Sequence, residues 1–545
     1  MVNMRQRFLF KLFLVVGFLS LGGFNAFAKP ALQEGSEIST LQFIIPTASY
    51  DPIRYEAGLL LTQAWEELGL SVEVTGMDFQ ALSQRLNSPP NDDFHAFISG
   101  YVSRPERLDP DVLLNRPFTC PGVDTGVNYQ GYCSEEYDAL IEAQRTTMDE
   151  ALRQDLVYQT QQKLAEDLPA IALYHVTEVT AYNNTLFENP TPMMGQGLFN
   201  IWNLLSMTPI TDQRMLAMGK AGDIDTVNLF APVTGGANTD ILRLIYDMLG
   251  RVRPDGTVEP WAAESWEVID DTTVQVNVRQ GMTFHDGEPV TAEDVKYSYD
   301  IQKAEGAAIY APFLDPIEEV EQVDDYTLIF HLSQPYPALF QATFSQILIV
   351  PKHIWENVDG VLAEAQVDNP IGSGPFSWGG WQRGEVLTLM AYKDHFQAPE
   401  IDSFSSVVYA TPDALFQGLV SGDVQMPDRR LLPTQIEELE QYDYLTRIEE
   451  QDFGVYYVGF NLRIPPFDDP AFRQAIAHTI DYDTIVNTLL DGYAVPGAGF
   501  IAPANAAWHD PDLTFPSFDL EAARQILTDA GYSWDDSGRL LFPAE

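Results

Sequence analysis

Apolar and polar positions along this chain follow the rhythm of an α/β protein. Residues 41–46 (LQFIIP) are a short apolar run, the pattern of a buried strand. Over 55–68 the spacing turns helical: Ala57, Leu60, Ala64 and Leu68 share a face, and Gly69 stands where a C-terminal cap belongs. Residues 71–74 and 96–99 predict two more short strands, the second leading into Gly100-Tyr101 and a polar loop. This strand–helix–strand order belongs to an α/β lobe. A stretch over about 134–168, rich in Ala, Gln, Leu and Glu, predicts a long helical region. Residues 240–300 alternate as strands, most clearly the period-two run Thr273–Val278. Helix starts are marked by Thr291 with Asp294, by Asp469 before Pro470, and by Asp519 ahead of a helix running to Ala530 and Gly531. Residues 207–222 carry no strong period and are expected to be a splice between segments. There is no internal repeat and no long flexible linker.

The ends and the charge narrow the class. Arg5, Arg7 and Lys11 precede an apolar stretch from Leu12 to Phe24, and Ala26-Phe27-Ala28 supplies small residues. Residues 1–28 therefore predict a secretory signal cleaved after Ala28, with no lipoprotein Cys following it. The chain carries 30 Lys and Arg against 79 Asp and Glu, a net charge of −49. That balance excludes nucleic-acid binding, which needs clustered cations on phosphates. Cys120 and Cys133 are the only cysteines. In an exported protein they predict a disulfide, whose loop closure is worth roughly 3 kcal/mol. A metal site is the alternative, but two Cys fall short of four ligands.

Several blocks carry a family resemblance. Ala262-Ala-Glu-Ser-Trp266 leads to Val278-Arg-Gln-Gly281, Phe284-His-Asp-Gly287 and Thr291-Ala-Glu-Asp-Val295. Asn369-Pro-Ile-Gly-Ser-Gly-Pro-Phe376, Gly459-Phe-Asn461, Pro465-Pro-Phe-Asp-Asp-Pro470 and Arg473-Gln-Ala-Ile476 follow. Together they resemble the extracytoplasmic solute-binding proteins of family 5, the peptide/nickel/opine class that serves ABC importers. Gly131-Tyr132, Glu136, Asp138 and the helix through Arg153 are similar to that family's C-terminal third, yet they come first here. Residue 545 placed ahead of residue 35 reads on without a gap, so the resemblance implies a circular permutation. The implied fold is α/β and periplasmic-binding-protein-like (class II type): two hinged lobes plus an extra lobe, circularly permuted. The implied division runs 36–185 (second lobe), 186–255 (first lobe), 256–365 (extra lobe), 366–460 (first lobe, continued) and 461–545 (second lobe, continued).

The same resemblance locates a ligand cleft. In the peptide-binding branch an Asp soon after the matching Gly-Trp pairs with the peptide amine. Here Gly100-Tyr101 runs into Val-Ser-Arg104, and Arg107 and Asp109 follow. A guanidinium donates two parallel hydrogen bonds and suits a carboxylate. Arg107 either meets a ligand carboxylate or bridges Asp109 or Asp111 to shape the loop; Arg104 either meets one or is solvated. Thr234 and Asn238 stand in a loop (232–238) matching a ligand-facing loop of the family. Tyr101, Trp378 and Tyr456 are candidates to stack on the ligand, or are core aromatics. The expected partners are a small-molecule or peptide ligand and an inner-membrane ABC permease, with the receptor itself a periplasmic monomer.

Catalytic patterns are weak. Gly372-Ser-Gly374 lacks the spacing of a nucleophile elbow, and Gly219-Lys220 lacks the rest of a phosphate loop. His285-Asp286 reads as a turn within a structural block. The eight His are scattered, so neither a metal nor another cofactor is expected. A binding protein is the first reading; an exported hydrolase, or a sensor or chaperone on the same fold, is the alternative.

Overall fold

A computed structural model describes residues 35–87, 93–231, 236–307 and 310–543. The expected signal segment 1–28 and Thr234 lie outside the described residues.

Three sheets organise the chain. A seven-stranded sheet has the order Leu445–Gln451, Ala170–Asn183, Val455–Phe460, Ala96–Tyr101, Leu41–Pro46 and Val72–Met77, with Ala494–Pro496 also pairing to Ala170–Asn183. Leu41–Pro46 is parallel to both its neighbours. Its apolar run is explained by core on both faces: Phe43 and Ile45 pack in one cluster and Ile44 in another. A five-stranded sheet contains Phe376–Gln382, Val386–Ala391, Ser403–Tyr409, Met215–Ala221 and Met426–Pro427. An antiparallel four-stranded sheet, Ala263–Asp270, Thr273–Val278, Thr327–Leu332 and Ile317–Gln322, lies within 256–365. The mixed α/β architecture is that of a two-lobed binding protein with an additional lobe.

One core contains both the first and the last described stretches. Ile38, Leu41 and Trp65 are buried together with Phe472, Leu527, Leu540 and Phe542. Trp65 donates its indole N–H to Thr479 at 3.0 Å, and Trp534 donates to the carbonyl of Leu68 at 2.6 Å. The backbone N–H of Leu540 bonds the carbonyl of Gly69 at 2.9 Å. Gly69 has φ +92°, and a Cβ there would lie 2.2 Å from the carbonyl oxygen of Gly538, so glycine is required. Glu37 and Leu541 form an antiparallel bridge.

Two strands of the large sheet join the lobes. The N-terminal part of Ala170–Asn183 pairs with Val455–Phe460, and its C-terminal part with Leu445–Gln451. The backbone changes partner around Asp452, whose N–H reaches the carbonyl of Val176 at 3.2 Å. Val455–Phe460, just before the expected boundary at 460/461, bonds Ala96–Tyr101 as well as Ala170–Asn183.

Other expectations change in detail. Residues 215–221, in the stretch expected to be a splice, form a central strand; MLAMGKA is buried at its centre and holds no β-branched residue, so no period showed. The long helical region is two helices, Glu135–Thr146 and Glu150–Asp167. Thr147 is extended, and the Asp149 carboxylate caps a new helix by accepting from the N–H of Leu152. Within 240–300 the alternation hides a helix, Gly236–Ile245. Cys120 and Cys133 are disulfide-bonded. Among the described residues no helix is long and apolar enough to cross a membrane.

Candidate ligand cleft

The strand Ala96–Tyr101 delivers the candidate loop to the junction between the lobes. A short 3-10 turn, Pro105–Leu108, and the helix Pro110–Leu114 follow it. Gly100 allows close packing, since a Cβ there would lie 2.5 Å from the Tyr456 ring. Tyr101 stacks on Tyr457 with ring centroids 5.7 Å apart, and the Arg107 guanidinium lies 5.3 Å from the Tyr101 ring. Arg107 also donates to the carbonyl of Val102. Arg104 is half-buried; its carbonyl accepts from the N–H of Arg107 at 2.8 Å, and its guanidinium makes no hydrogen bond to the described residues.

Asp109 has a different role from the one expected. It is buried, it caps the helix Pro110–Leu114 through the N–H of Asp111, and both its oxygens accept from Arg153 at 2.7 and 2.9 Å. Asp111 is held by Arg145 and Gln144, each at 3.0 Å. These pairs anchor the base of the loop and remove Asp109 from the ligand-facing set. Neither carboxylate is bridged by Arg107.

Opposite the loop stands the helix Gly236–Ile245. Arg243 on this helix reaches Glu106 across the cleft at 3.2 Å, and both residues are buried. Burial alone would raise the Glu106 carboxyl; Arg243, then Arg104 and Arg107, overcome it and hold it below the usual range. Arg107 is itself drawn down to about 10 by burial and then by the like charge of Arg104. Gln341 adds a second tie, donating to the carbonyl of Pro105 at 2.8 Å. Thr234 is outside the described residues, and Asn238 lies in the first turn of the helix.

A second group of charges lies nearer the hinge. Tyr456 is buried, stacks on Tyr174 at 4.9 Å, and has Arg54 at 5.3 Å and Arg430 at 5.4 Å from its ring centroid. Arg430 donates to the Tyr456 hydroxyl at 3.1 Å. Arg54 pairs with Asp51, which also caps the helix Pro52–Glu67. Glu178, on Ala170–Asn183, and Asp452, in the link between Leu445–Gln451 and Val455–Phe460, are both buried. The Asp452 carboxylate accepts from Ser103 and from the N–H of Gly454, while burial and Asp452 raise the Glu178 carboxyl to about 8. Trp378 is not brought here. It sits on the outer strand of the five-stranded sheet and packs on the core.

Arg54, Arg243 and Arg430 were not anticipated from the sequence. One signal was available for Arg54: a cation in the first turn opposes the helix dipole and so needs a local acid or a task. Nothing local marks Arg243 or Arg430, whose partners Glu106 and Tyr456 are remote in sequence.

The family model described as "Bacterial extracellular solute-binding proteins, family 5 Middle" matches residues 257–544. The oligopeptide-binding protein AppA of Bacillus subtilis is 28% identical over 335 residues, covering 59% of this chain and 60% of that protein. The dipeptide-binding protein of Escherichia coli is 29% identical over 303 residues, 51% of this chain and 56% of that protein. The chain thus spans little more than half the length of these relatives. The solved structure of AppA in complex with a nonapeptide superposes with a TM-score of 0.53 at 26% identity, over 61% of this chain and 67% of that one. NikZ of Campylobacter jejuni, in complex with Ni(L-His), shares the fold at 21% identity and a TM-score of 0.51, over 61% of this chain and 66% of that one.

Proposed function

The chain belongs to the bacterial extracellular solute-binding proteins of family 5, and from that premise we propose that it captures a carboxylate-bearing solute, a short peptide or peptide-like molecule, between its lobes and presents it to an ABC importer permease. The observation that carries this reading is the charge of the cleft. In a chain of net charge −49 with only 30 Lys and Arg, Arg104 and Arg107 stand together in one loop whose carboxylates are already taken elsewhere, Glu106 by Arg243 and Asp109 by Arg153. Such a focus attracts an anionic group and offers it paired donors. AppA, crystallised with a nonapeptide, supports the peptide class. Arg104, standing where the peptide branch has an amine-binding Asp, supports a carboxylate at this end.

The protein works as an exported monomeric receptor, led by the signal in residues 1–28, and binds without turnover. Its second lobe combines 36–185 with the chain after 454. The first lobe combines 186–255 with 366–454, and the extra lobe is 256–365. The shared core of Ile38, Trp65, Leu527 and Leu540 supports a circularly permuted single receptor.

A thermal-shift screen of residues 29–545 against di- to pentapeptides, opines and neutral oligosaccharides tests the reading. At 100 times its dissociation constant a ligand adds ~2.7 kcal/mol. Stabilisation by a carboxylate-bearing class, lost when that carboxylate is amidated, is expected. Stabilisation by neutral sugars alone, or turnover of any hit, would reject it.

A further inference from the structure

A separate cavity of about 140 Å³ lies where the helix Glu150–Asp167, the start of the strand Ala170–Asn183 and the segments 497–500 and 514–516 meet. Leu164, Leu168, Ile171, Tyr482, Phe500 and Phe515 supply its apolar wall. Among the described residues that line it none is charged, in a chain with 79 Asp and Glu. It shares no residue with the cleft: Tyr456, which marks the cleft, stacks on Tyr174 further along the same strand. Phe515 is 39% exposed and borders the mouth, packed on Tyr482 with ring centroids 4.4 Å apart.

One polar group is built into this wall. Gln161 lines the cavity and is 2% exposed. Its Nε2 donates to the carbonyls of Trp508 at 2.8 Å and Val157 at 3.3 Å, which fixes the orientation of the amide. Its Oε1 is left buried without a partner. Gly499, also on the wall, leaves room beside that oxygen, since a Cβ there would stand 4.0 Å from it. An unsatisfied buried acceptor is costly. The Tyr482 hydroxyl does not relieve it, because it donates to the carbonyl of Ala172 at 3.1 Å. Thr514 is exposed at the rim. An ordered water needs roughly two to four polar partners. Among the described residues on this wall, Gln161 Oε1 is the one unpartnered buried side-chain oxygen. An apolar cavity of ~150 Å³ stays dry and accepts a benzene ring.

We propose that this cavity is a second binding site, distinct from the cleft, which takes one small neutral aromatic molecule carrying a single O–H or N–H donor. The ring fills the space between Leu164, Ile171, Tyr482 and Phe500, and the donor satisfies Gln161 Oε1. Size, apolar wall and a lone acceptor together select that class: a hydrocarbon leaves the acceptor unpaired, and a charged group finds no counter-charge on the wall. The inference does not depend on the identity of the transported solute.

The test uses the full chain without solute. Phenol, benzene and benzoate are titrated by calorimetry, and crystals soaked in 4-bromophenol are examined for anomalous scattering. Saturable binding of phenol is expected, tighter than benzene by about threefold or more for the added hydrogen bond, with benzoate not bound here and a bromine peak between Gln161 and Phe515. Gln161→Met keeps the side-chain length without the acceptor and should remove the advantage of phenol over benzene. If that variant fails to fold, Ala165→Phe decides: it fills the cavity from the helix without removing a side-chain hydrogen bond, and should abolish binding of both probes. Phenol binding unchanged in Ala165→Phe, a bromine peak in the cleft, or water alone on Gln161 with no saturable binding overturns the proposal. Equal affinities for phenol and benzene overturn the role of Gln161. None of these results touches the solute screen, so the two readings fail separately.

Discussion

Glu106 and Arg243 form an ion pair at 3.2 Å although they stand on opposite sides of the cleft. Both are buried, so removing Glu106 leaves Arg243 only the longer contact with Asp240 at 3.9 Å, at a cost of up to about 3–5 kcal/mol. Because the pair spans two lobes, the chain can avoid that cost by opening. Glu106→Ala is expected to shift the population toward an open form, read as a larger radius of gyration in small-angle scattering. Unchanged scattering would mean that the Gln341–Pro105 contact and the apolar contacts hold the lobes alone.

The Arg104 guanidinium has no hydrogen bond to the described residues, so its contribution should appear in binding rather than in folding. A charged hydrogen bond to a ligand carboxylate is worth about 1.5–3 kcal/mol. Arg104→Asp is expected to lose that much affinity for an acidic ligand and to gain affinity for a matching ligand with an amine in its place. Calorimetric titration of both ligand types checks the exchange. Equal affinities in the variant and the parent would take Arg104 out of the cleft chemistry.

The hinge carboxylates predict a pH dependence. Burial and Asp452 push Glu178 up to about 8, whereas an unfolded glutamate titrates near ~4.3. Between these values the native state holds more protons than the unfolded chain, so stability falls as pH rises. The slope from this group is at most ~1.4 kcal/mol per pH unit. Glu178→Gln should flatten the curve between pH 5 and 8 and stabilise the protein at pH 8, with little gain at pH 5. Urea unfolding across that range would show it; parallel curves for parent and variant would refute it.

Reordering the chain tests the single-receptor reading. The backbone N–H of Phe542 bonds the carbonyl of Ser36 at 3.0 Å, so the first and last described residues run side by side and the chain can be joined there, 545 to 35. The loop 210–214 is exposed apart from one half-buried residue and can be opened. The reordered protein is expected to unfold in one transition with ligand affinity unchanged within twofold. Two separate transitions would show that the two parts of the chain fold independently.

Much of the architecture was legible because it depends on short-range pattern. LQFIIP, the capping residues Asp469 and Asp519, and the run Thr273–Val278 each specify their own element. Met215–Ala221 was not legible, because a strand buried at its centre shows no alternation. The cleft was read in part. Arg104 and Arg107 stood out as cations in one loop of an acidic chain. Asp109 was misassigned because its partner Arg153 is distant in sequence and close only after the helix Glu150–Asp167 packs. Trp378 was misplaced for a similar reason: an aromatic's composition does not tell a core edge from a pocket.

The strand Ala170–Asn183 exchanges one partner for another near Val176, where the N–H of Asp452 reaches across at 3.2 Å. A strand shared in this way acts as a torsion bar: rotation of either lobe concentrates its twist at the changeover. That single amide is therefore a natural gauge of the molecule's state, slow to exchange with solvent deuterium when the lobes are seated and faster as they swing apart. It would register the motion without any label in the cleft itself.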